Sequence, residues 1–229
     1  MRFWILKLNI ILLLFSCKRE QEYNYVEILD GLASQYENIE FNVKNTPLDC
    51  ADQDSIYLKM LSDDQSVRSF GGGDMQAVDE YNIDIFITLI EQCGWPQYPP
   101  ITKNGLLMRD YQLRSAVFLV LQHAQTEVML KFYKQFGTSV DSGVFYKKHL
   151  AYLQDRILLS QDFPQVFGSQ INGDGHLFPL WKPHEVNQRR SAMGLGTIED
   201  YISRYGLDFS EEVIRQKSDM KKEIDKHFQ

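Results

Sequence analysis

Apolar residues recur every three or four positions along most of the chain, a spacing that is typical of amphipathic helices. This spacing predicts helices over Tyr23–Tyr36, Asp54–Ser69, Met75–Gln92, Leu107–Phe136 and Val144–Gln161. The Leu107–Phe136 helix is the longest of them, and its stretch Ala116–Leu121 is apolar on every face. A helix without a polar face is buried on all sides, so we expect this one at the centre of the fold.

Residues with strong turn and capping preferences divide the chain between and after these helices. Ser142 is placed to cap the helix over Val144–Gln161, Pro183 suits the first turn of a short helix ending near Met193, and Ser210 opens a polar terminal helix. Thr197 with Asp200 three residues later resembles a capping box.

Residues 165–183 have no helical period, and Asn172–Gly175 is a turn signal that can join two short strands. The sequence therefore predicts a mainly α fold, in which residues 25–229 form a single helical domain with a small hairpin or irregular element near residues 165–183.

The first seventeen residues are typical of a bacterial lipoprotein signal. Arg2 and Lys7 supply the positive start, and the apolar run Leu8–Phe15 is too short to span a bilayer, which takes about 20 residues. Cys17 follows at the position that is lipidated after cleavage. We expect residues 1–16 to be the signal peptide and residues 17–24 the tether, with an uncleaved anchor or a plain secretory signal as alternatives.

Charge and cysteine content narrow the range of partners. Cleavage after residue 16 shifts the formal net charge from -7 to -9, and no dense basic run precedes the terminal helix, which argues against nucleic acid as a partner. Cys50 and Cys93 are free to pair in an exported protein, but the sequence leaves their pairing open. Cysteine and histidine residues lack metal-site spacing, so we expect neither a metal nor a cofactor. The oligomeric state is left open.

Polar residues interrupt the apolar pattern in four places, which bring together the residue types of a binding or catalytic site. The four groups are Gln122 with His123, Asp155 with Arg156, Gln165 with Gly168 and Gln170, and Arg189 with Arg190. Buried polar groups cost about 1 to 3 kcal/mol each unless they are partnered, so we expect these side chains to meet in the fold.

Two interpretations of these groups remain open. In the first, they form an internal network that fixes how the helices pack. In the second, they line a pocket in which His123 is the general base or acid, Asp155 orients it, and Arg156, Arg189 or Arg190 neutralises an anionic group. Neither a Gly-x-Ser-x-Gly elbow nor a Walker phosphate loop is present in the sequence.

Several short motifs, taken in their order and spacing, resemble a bacterial family known as domain of unknown function 6624. The motifs are Asp64-Gln65 with Arg68, Asp79 with Asn82, Gly94-Trp95-Pro96, Gln122-His123-Ala124, Ala151-Tyr152-Leu153 with Asp155-Arg156, Pro164-Gln165 with Phe167-Gly168-Ser169-Gln170, and Asn187 with Arg189-Arg190 and Gly194-Leu195. The family tends to have tyrosine at Phe167 and threonine at Ser169. The resemblance implies a single domain and adds Asp64, Gln65 and Arg68 to the proposed site, but it brings no assigned activity.

The sequence thus indicates a lipid-anchored cell-envelope protein, held to the membrane through Cys17, that binds a small polar or anionic ligand. The expected catalytic residues are His123, Asp155 and Arg156, and the expected ligand-binding residues are Asp64, Gln65, Arg68, Gln122, Gln165, Gln170, Arg189 and Arg190. A hydrolase using His123 with Asp155 is one alternative. An interaction scaffold with a purely structural polar network is another.

Overall fold

The computed structural model describes residues 24–43, 47–70, 73–102 and 105–217. Within these ranges the chain forms a single all-α domain whose residues outside helices make only isolated β-bridges, which confirms the predicted fold class. The helices are α1 (Tyr25–Tyr36), α2 (Gln53–Phe70), α3 (Met75–Cys93), α4 (Met108–His123), α5 (Thr126–Asp141), α6 (Lys147–Ser160), α7 (Val186–Ala192), α8 (Ile198–Ile202) and α9 (residues 209–217). The predicted signal peptide and all of the tether except Asn24 lie outside the described residues.

Helix α4 lies at the centre of the domain and contacts α2, α3, α5 and α6. Its residues Ala116, Val117 and Leu121 are completely buried, as the all-apolar run predicts. Beside it, the Phe86 and Phe132 rings pack edge to face with centroids 5.3 Å apart, and the Trp95 indole donates a hydrogen bond to Ser139 Oγ at 2.9 Å. No helix in the described ranges is long and apolar enough to cross a membrane.

The prediction of one helix over Leu107–Phe136 is wrong. Helix α4 ends at His123, the backbone is extended at Ala124 and Gln125, and α5 begins at Thr126. A continuous 30-residue helix would be about 45 Å long, which exceeds the diameter of a small domain. The break instead lets the apolar stripe of α5 pack against α1 and α6, and it leaves His123 at the end of α4.

Two predicted helix starts also need correction, whereas one is confirmed. Ser142 follows the end of α5 and bonds back to Thr138, and α6 begins only at Lys147. At α9 the capping side chain is Asp208, whose Oδ1 accepts from the backbone N–H of Ser210 at 2.9 Å. The Thr197 side chain caps α8 by accepting from the Asp200 N–H at 3.2 Å, as predicted.

The nonhelical segment 165–183 is the small irregular element that the sequence predicts. Asn172 N–H donates to His176 O at 2.8 Å across a tight turn, and Ile171 pairs with Leu177 in a single antiparallel bridge. The Glu212 carboxylate on α9 accepts from the Leu177 N–H at 2.9 Å and lies 2.8 Å from His176 Nδ1. The turn is too short to form paired strands, so hydrogen bonds to the α9 side chain of Glu212 stabilise it instead.

A disulfide joins Cys50, just before α2, to Cys93 at the end of α3, with Cα atoms 5.4 Å apart. The sequence left this pairing open. Because α2 and α3 are consecutive and packed together, the bond fastens one end of a helical hairpin, and the other end lies between Phe70 and Met75.

Candidate functional site

His123 is oriented by Asp64 from the neighbouring helix. The two lie 59 residues apart in the chain, but the packing of α4 against α2 brings His123 Nδ1 to 2.7 Å from Asp64 Oδ1. The carboxylate is buried, whereas 16% of the His123 side chain is exposed to solvent. A carboxylate acceptor at Nδ1 favours the tautomer that carries its proton there, which leaves the Nε2 lone pair available as a base.

Arg68 joins this pair to Asp79 on α3. Its Nη2 lies 2.9 Å from each Asp79 carboxylate oxygen, and its Nη1 lies 2.7 Å from Asp64 Oδ1. Gln65 Nε2 donates to Asp64 Oδ2 at 2.7 Å. We refer to Asp64, Gln65, Arg68, Asp79 and His123 as the Asp64 cluster.

The Asp64 cluster keeps its central carboxylate ionised. Burial alone would raise the pKa of Asp64, but the hydrogen bonds from His123 and Gln65, together with the charge of Arg68, hold it below its ordinary value. A buried carboxylate with these three partners is a strong acceptor for the His123 N–H. The arrangement therefore fixes both the direction and the tautomer of the imidazole ring.

Arg156 on α6 lies close enough to this cluster to experience its charges. Burial lowers the pKa of Arg156, the charge of Arg68 lowers it further, and Asp79 acts in the opposite direction. Its Nη2 donates to Gln170 Oε1 at 3.2 Å, whereas its buried Nε has no hydrogen-bond partner. Among the described residues, no carboxylate oxygen lies within 4.0 Å of this guanidinium.

Three members of the Asp64 cluster also have the residue types of a metal site. Ligand atoms of Asp64, Asp79 and His123 all lie within 4.8 Å of one another. However, the Arg68 guanidinium occupies the space between the two carboxylates and supplies the positive charge that a cation would bring. A divalent metal ion placed between the carboxylates would be repelled by that guanidinium. Asp64 and Asp79 are therefore better suited to pair with Arg68 than to bind a metal ion.

Asp155 does not orient His123, which corrects our expectation. Its Oδ1 accepts from the backbone N–H groups of Val166 and Phe167 at 2.7 and 2.9 Å, and its Oδ2 accepts from Ser169 N–H at 2.9 Å. The carboxyl group is completely buried, and burial raises its pKa against the lowering effect of these three donors. Asp155 thus fixes the backbone of the loop that follows α6.

Three other predicted site residues hold the same loop. Gln165 donates from Nε2 to the carbonyl oxygens of Gln170 and Phe178 at 3.1 and 2.9 Å. Arg189 donates from Nε to Val166 O at 2.9 Å, and Arg190 donates from Nη1 to Phe167 O at 2.7 Å. We refer to Asp155, Gln165, Arg189 and Arg190 as the loop scaffold.

The predicted site therefore separates into the Asp64 cluster and the loop scaffold, and Gln170 joins the loop scaffold to Arg156. The backbone N–H of Gln170 donates to Gln165 Oε1 at 2.9 Å, while its side-chain oxygen accepts from Arg156. Gln122 is half-buried next to His123, and its amide makes no hydrogen bond to a described residue.

Asp79 was missed as a site residue, although the family resemblance already pointed to it. The sequence signal is a carboxylate near the start of α3, 11 positions after Arg68 near the end of α2, because consecutive antiparallel helices bring such positions together.

Comparison with known proteins places the chain in a family. The model of a family described as a family of unknown function (DUF6624) matches residues 71–210, which is more than half of the chain. The chain belongs to DUF6624. No curated protein and no solved structure matches the chain. Asp79, His123, Arg156 and Gln170 lie inside the part that matches DUF6624, whereas the α2 residues of the Asp64 cluster precede it.

Replacement of Asp155 should destabilise the fold. In Asp155→Asn, an amide with one acceptor oxygen and an NH2 group faces three backbone donors, so we expect a loss of roughly 3 kcal/mol in the free energy of unfolding. Thermal unfolding should then show a midpoint about 6 to 12 °C lower than that of the wild type. The matched control is Asp174→Asn, the same change at an exposed position of the following turn. Equal midpoints for the two variants would show that the carboxylate is not needed to hold the loop.

Proposed function

We propose that the chain binds a small anionic ligand at Arg156, beside the Asp64 cluster. The observation that carries this proposal is a guanidinium whose buried Nε–H has no hydrogen-bond partner and which has no carboxylate within ion-pair distance among the described residues. A buried donor without an acceptor costs about 1 to 3 kcal/mol, and a bound anion would recover that cost.

The distribution of charges supports an anion over a cation. Asp64 and Asp79 share the single positive charge of Arg68, whereas no described carboxylate lies within ion-pair distance of Arg156, so Arg156 is the group that offers its charge to an anion. Guanidinium groups bind carboxylate and phosphate oxygens through paired, charge-assisted hydrogen bonds. Gln170, held in place by the loop scaffold, offers its amide on one side of Arg156 and would limit the size of the ligand.

Thermal unfolding in the presence of inorganic phosphate, sulfate or acetate tests anion binding. At one hundred times its dissociation constant, a ligand adds about 2.7 kcal/mol, which should raise the midpoint of the wild type by roughly 5 to 10 °C. Arg156→Gln should abolish this rise. Arg109→Gln, which removes a guanidinium with 58% of its side chain exposed, should retain it. An unresponsive wild type, or an equal rise in Arg156→Gln, would overturn the proposal.

A hydrolase is the second candidate, and the contact between His123 and Asp64 favours it. With Nδ1 held by the carboxylate, Nε2 of His123 is the base that would take a proton from an attacking water. Arg156 would stabilise the negative charge that develops on the substrate oxygen. Asp64 therefore replaces Asp155 in the orienting role expected from the sequence.

Hydrolysis of p-nitrophenyl acetate and p-nitrophenyl phosphate tests this second candidate. If the wild type turns over either compound, His123→Gln should lower the rate by about 10² to 10⁴, the usual contribution of a general base. His184→Gln, at a histidine with 78% of its side chain exposed, should not change the rate. A rate that survives His123→Gln would remove His123 from the mechanism. If the protein shows neither turnover nor anion binding, the remaining interpretation is an interaction scaffold whose polar network is purely structural.

We also propose that the protein is a lipoprotein of the cell envelope. Residues 1–17 support this location through their charge, apolar run and cysteine, and the disulfide between Cys50 and Cys93 is the kind that persists in an oxidising compartment.

Fractionation of cells expressing the full chain tests the lipid anchor. Cys17→Ser should move the protein from the membrane fraction to the soluble fraction, because it removes the acyl chains that supply membrane affinity. The matched cysteine variant Cys93→Ser should stay with the membrane. A Cys17→Ser protein that has lost residues 1–16 and still remains in the membrane fraction would exclude lipidation as the anchor.

A further inference from the structure

A cavity of about 610 Å³ lies between α2, α4 and α6, apart from Arg156. Much of its wall is apolar, formed by Leu58 and Leu61 of α2 and by Phe118 and Leu119 of α4. Tyr111 also lines it and is 39% exposed, so the cavity opens to solvent near the start of α4. Its volume and mostly apolar wall are those of sites that bind small molecules.

Two buried polar atoms in the cavity wall lack hydrogen-bond partners: Oγ of Ser115 and Nδ1 of His149. Both residues are more than nine-tenths buried, with exposed fractions of 8% for Ser115 and 4% for His149. Buried polar atoms are almost always partnered in folded proteins, and each exception requires an explanation. Two such atoms beside one cavity are positions at which a bound molecule would supply the missing partner.

The polar part of this wall is uncharged. The His149 ring stacks on Phe118 with centroids 4.2 Å apart, and burial, with a smaller contribution from Lys148, lowers its pKa to about 3. At neutral pH the ring is therefore a neutral imidazole, which can donate or accept one hydrogen bond at each nitrogen. A serine hydroxyl has the same dual capacity. Together they suit a neutral hydroxyl group better than a carboxylate or a phosphate.

We propose that this cavity is a second binding site, for a small uncharged molecule with one or two apolar rings and a hydroxyl group. The rings would lie against the leucine residues and Phe118, and the hydroxyl would bond to Ser115 and His149. The site is distinct from the proposed anion site, since Arg156 does not line the cavity. Gln65 is common to both regions, because it lines the cavity and donates to Asp64.

Calorimetric titration of the full chain with 2-naphthol, against a matched buffer blank, tests the proposal. We expect 2-naphthol to bind and naphthalene-2-sulfonate to bind more weakly, because its charge would meet a neutral wall. Leu119→Trp fills the cavity and should abolish 2-naphthol binding. The matched control Ile214→Trp, at a residue 67% exposed on α9, should bind as the wild type does. No binding by the wild type, or equal binding by Leu119→Trp, would overturn the proposal.

A milder variant tests the polar end of the site and guards against a misfolded Leu119→Trp protein. Ser115→Ala removes one hydrogen bond, so it should weaken 2-naphthol binding about threefold to tenfold and leave the affinity for naphthalene unchanged. Equal weakening for both compounds would show that Ser115 does not recognise the hydroxyl. Phosphate should still stabilise Leu119→Trp, so failure of this site and failure of the anion site give different results.

Discussion

The arrangement around Arg156 depends on one buried carboxylate. Asp155 accepts three backbone N–H groups from the loop after α6, and these donors offset part of the cost of burying its carboxyl group completely. The loop then turns Gln170 toward Arg156, and Arg189 and Arg190 bind carbonyl oxygens of the same loop. Without this anchor, the backbone amides would need other acceptors, and Gln170 would lose its fixed position beside Arg156.

The helical fold was largely predictable because its signals are local. The spacing of apolar residues predicts the bounds of α1, α2 and α3 to within two residues at each end. Thr197 caps α8, as its spacing with Asp200 indicates. The break between α4 and α5 was not predictable, because neither glycine nor proline marks it. It follows from the size of the domain and from the surfaces on which α5 packs, which are tertiary effects that outweigh local preference.

The residues of the site were easier to find than their partners. His123, Arg156 and the loop scaffold stand out in the sequence as polar positions within apolar surroundings, but the sequence suggested Asp155, on another helix, as the partner of His123. The true partner, Asp64, is 59 positions away, and the packing of α2 on α4 determines the contact. Such pairings depend on which helix faces touch, and a single sequence does not contain that information. For the same reason, the cavity between α2, α4 and α6 had no counterpart in the sequence analysis.

The α2–α3 hairpin is fastened at both of its ends. Cys50 and Cys93 join it covalently where the helices begin and finish, and Arg68 with Asp79 joins it near the turn. Two antiparallel helices linked at both ends can neither slide along one another nor splay apart without breaking one of these links. These two links restrict the separation of the Asp64 and Asp79 carboxylates, and α4 packs against the hairpin that they hold together, with His123 next to Asp64.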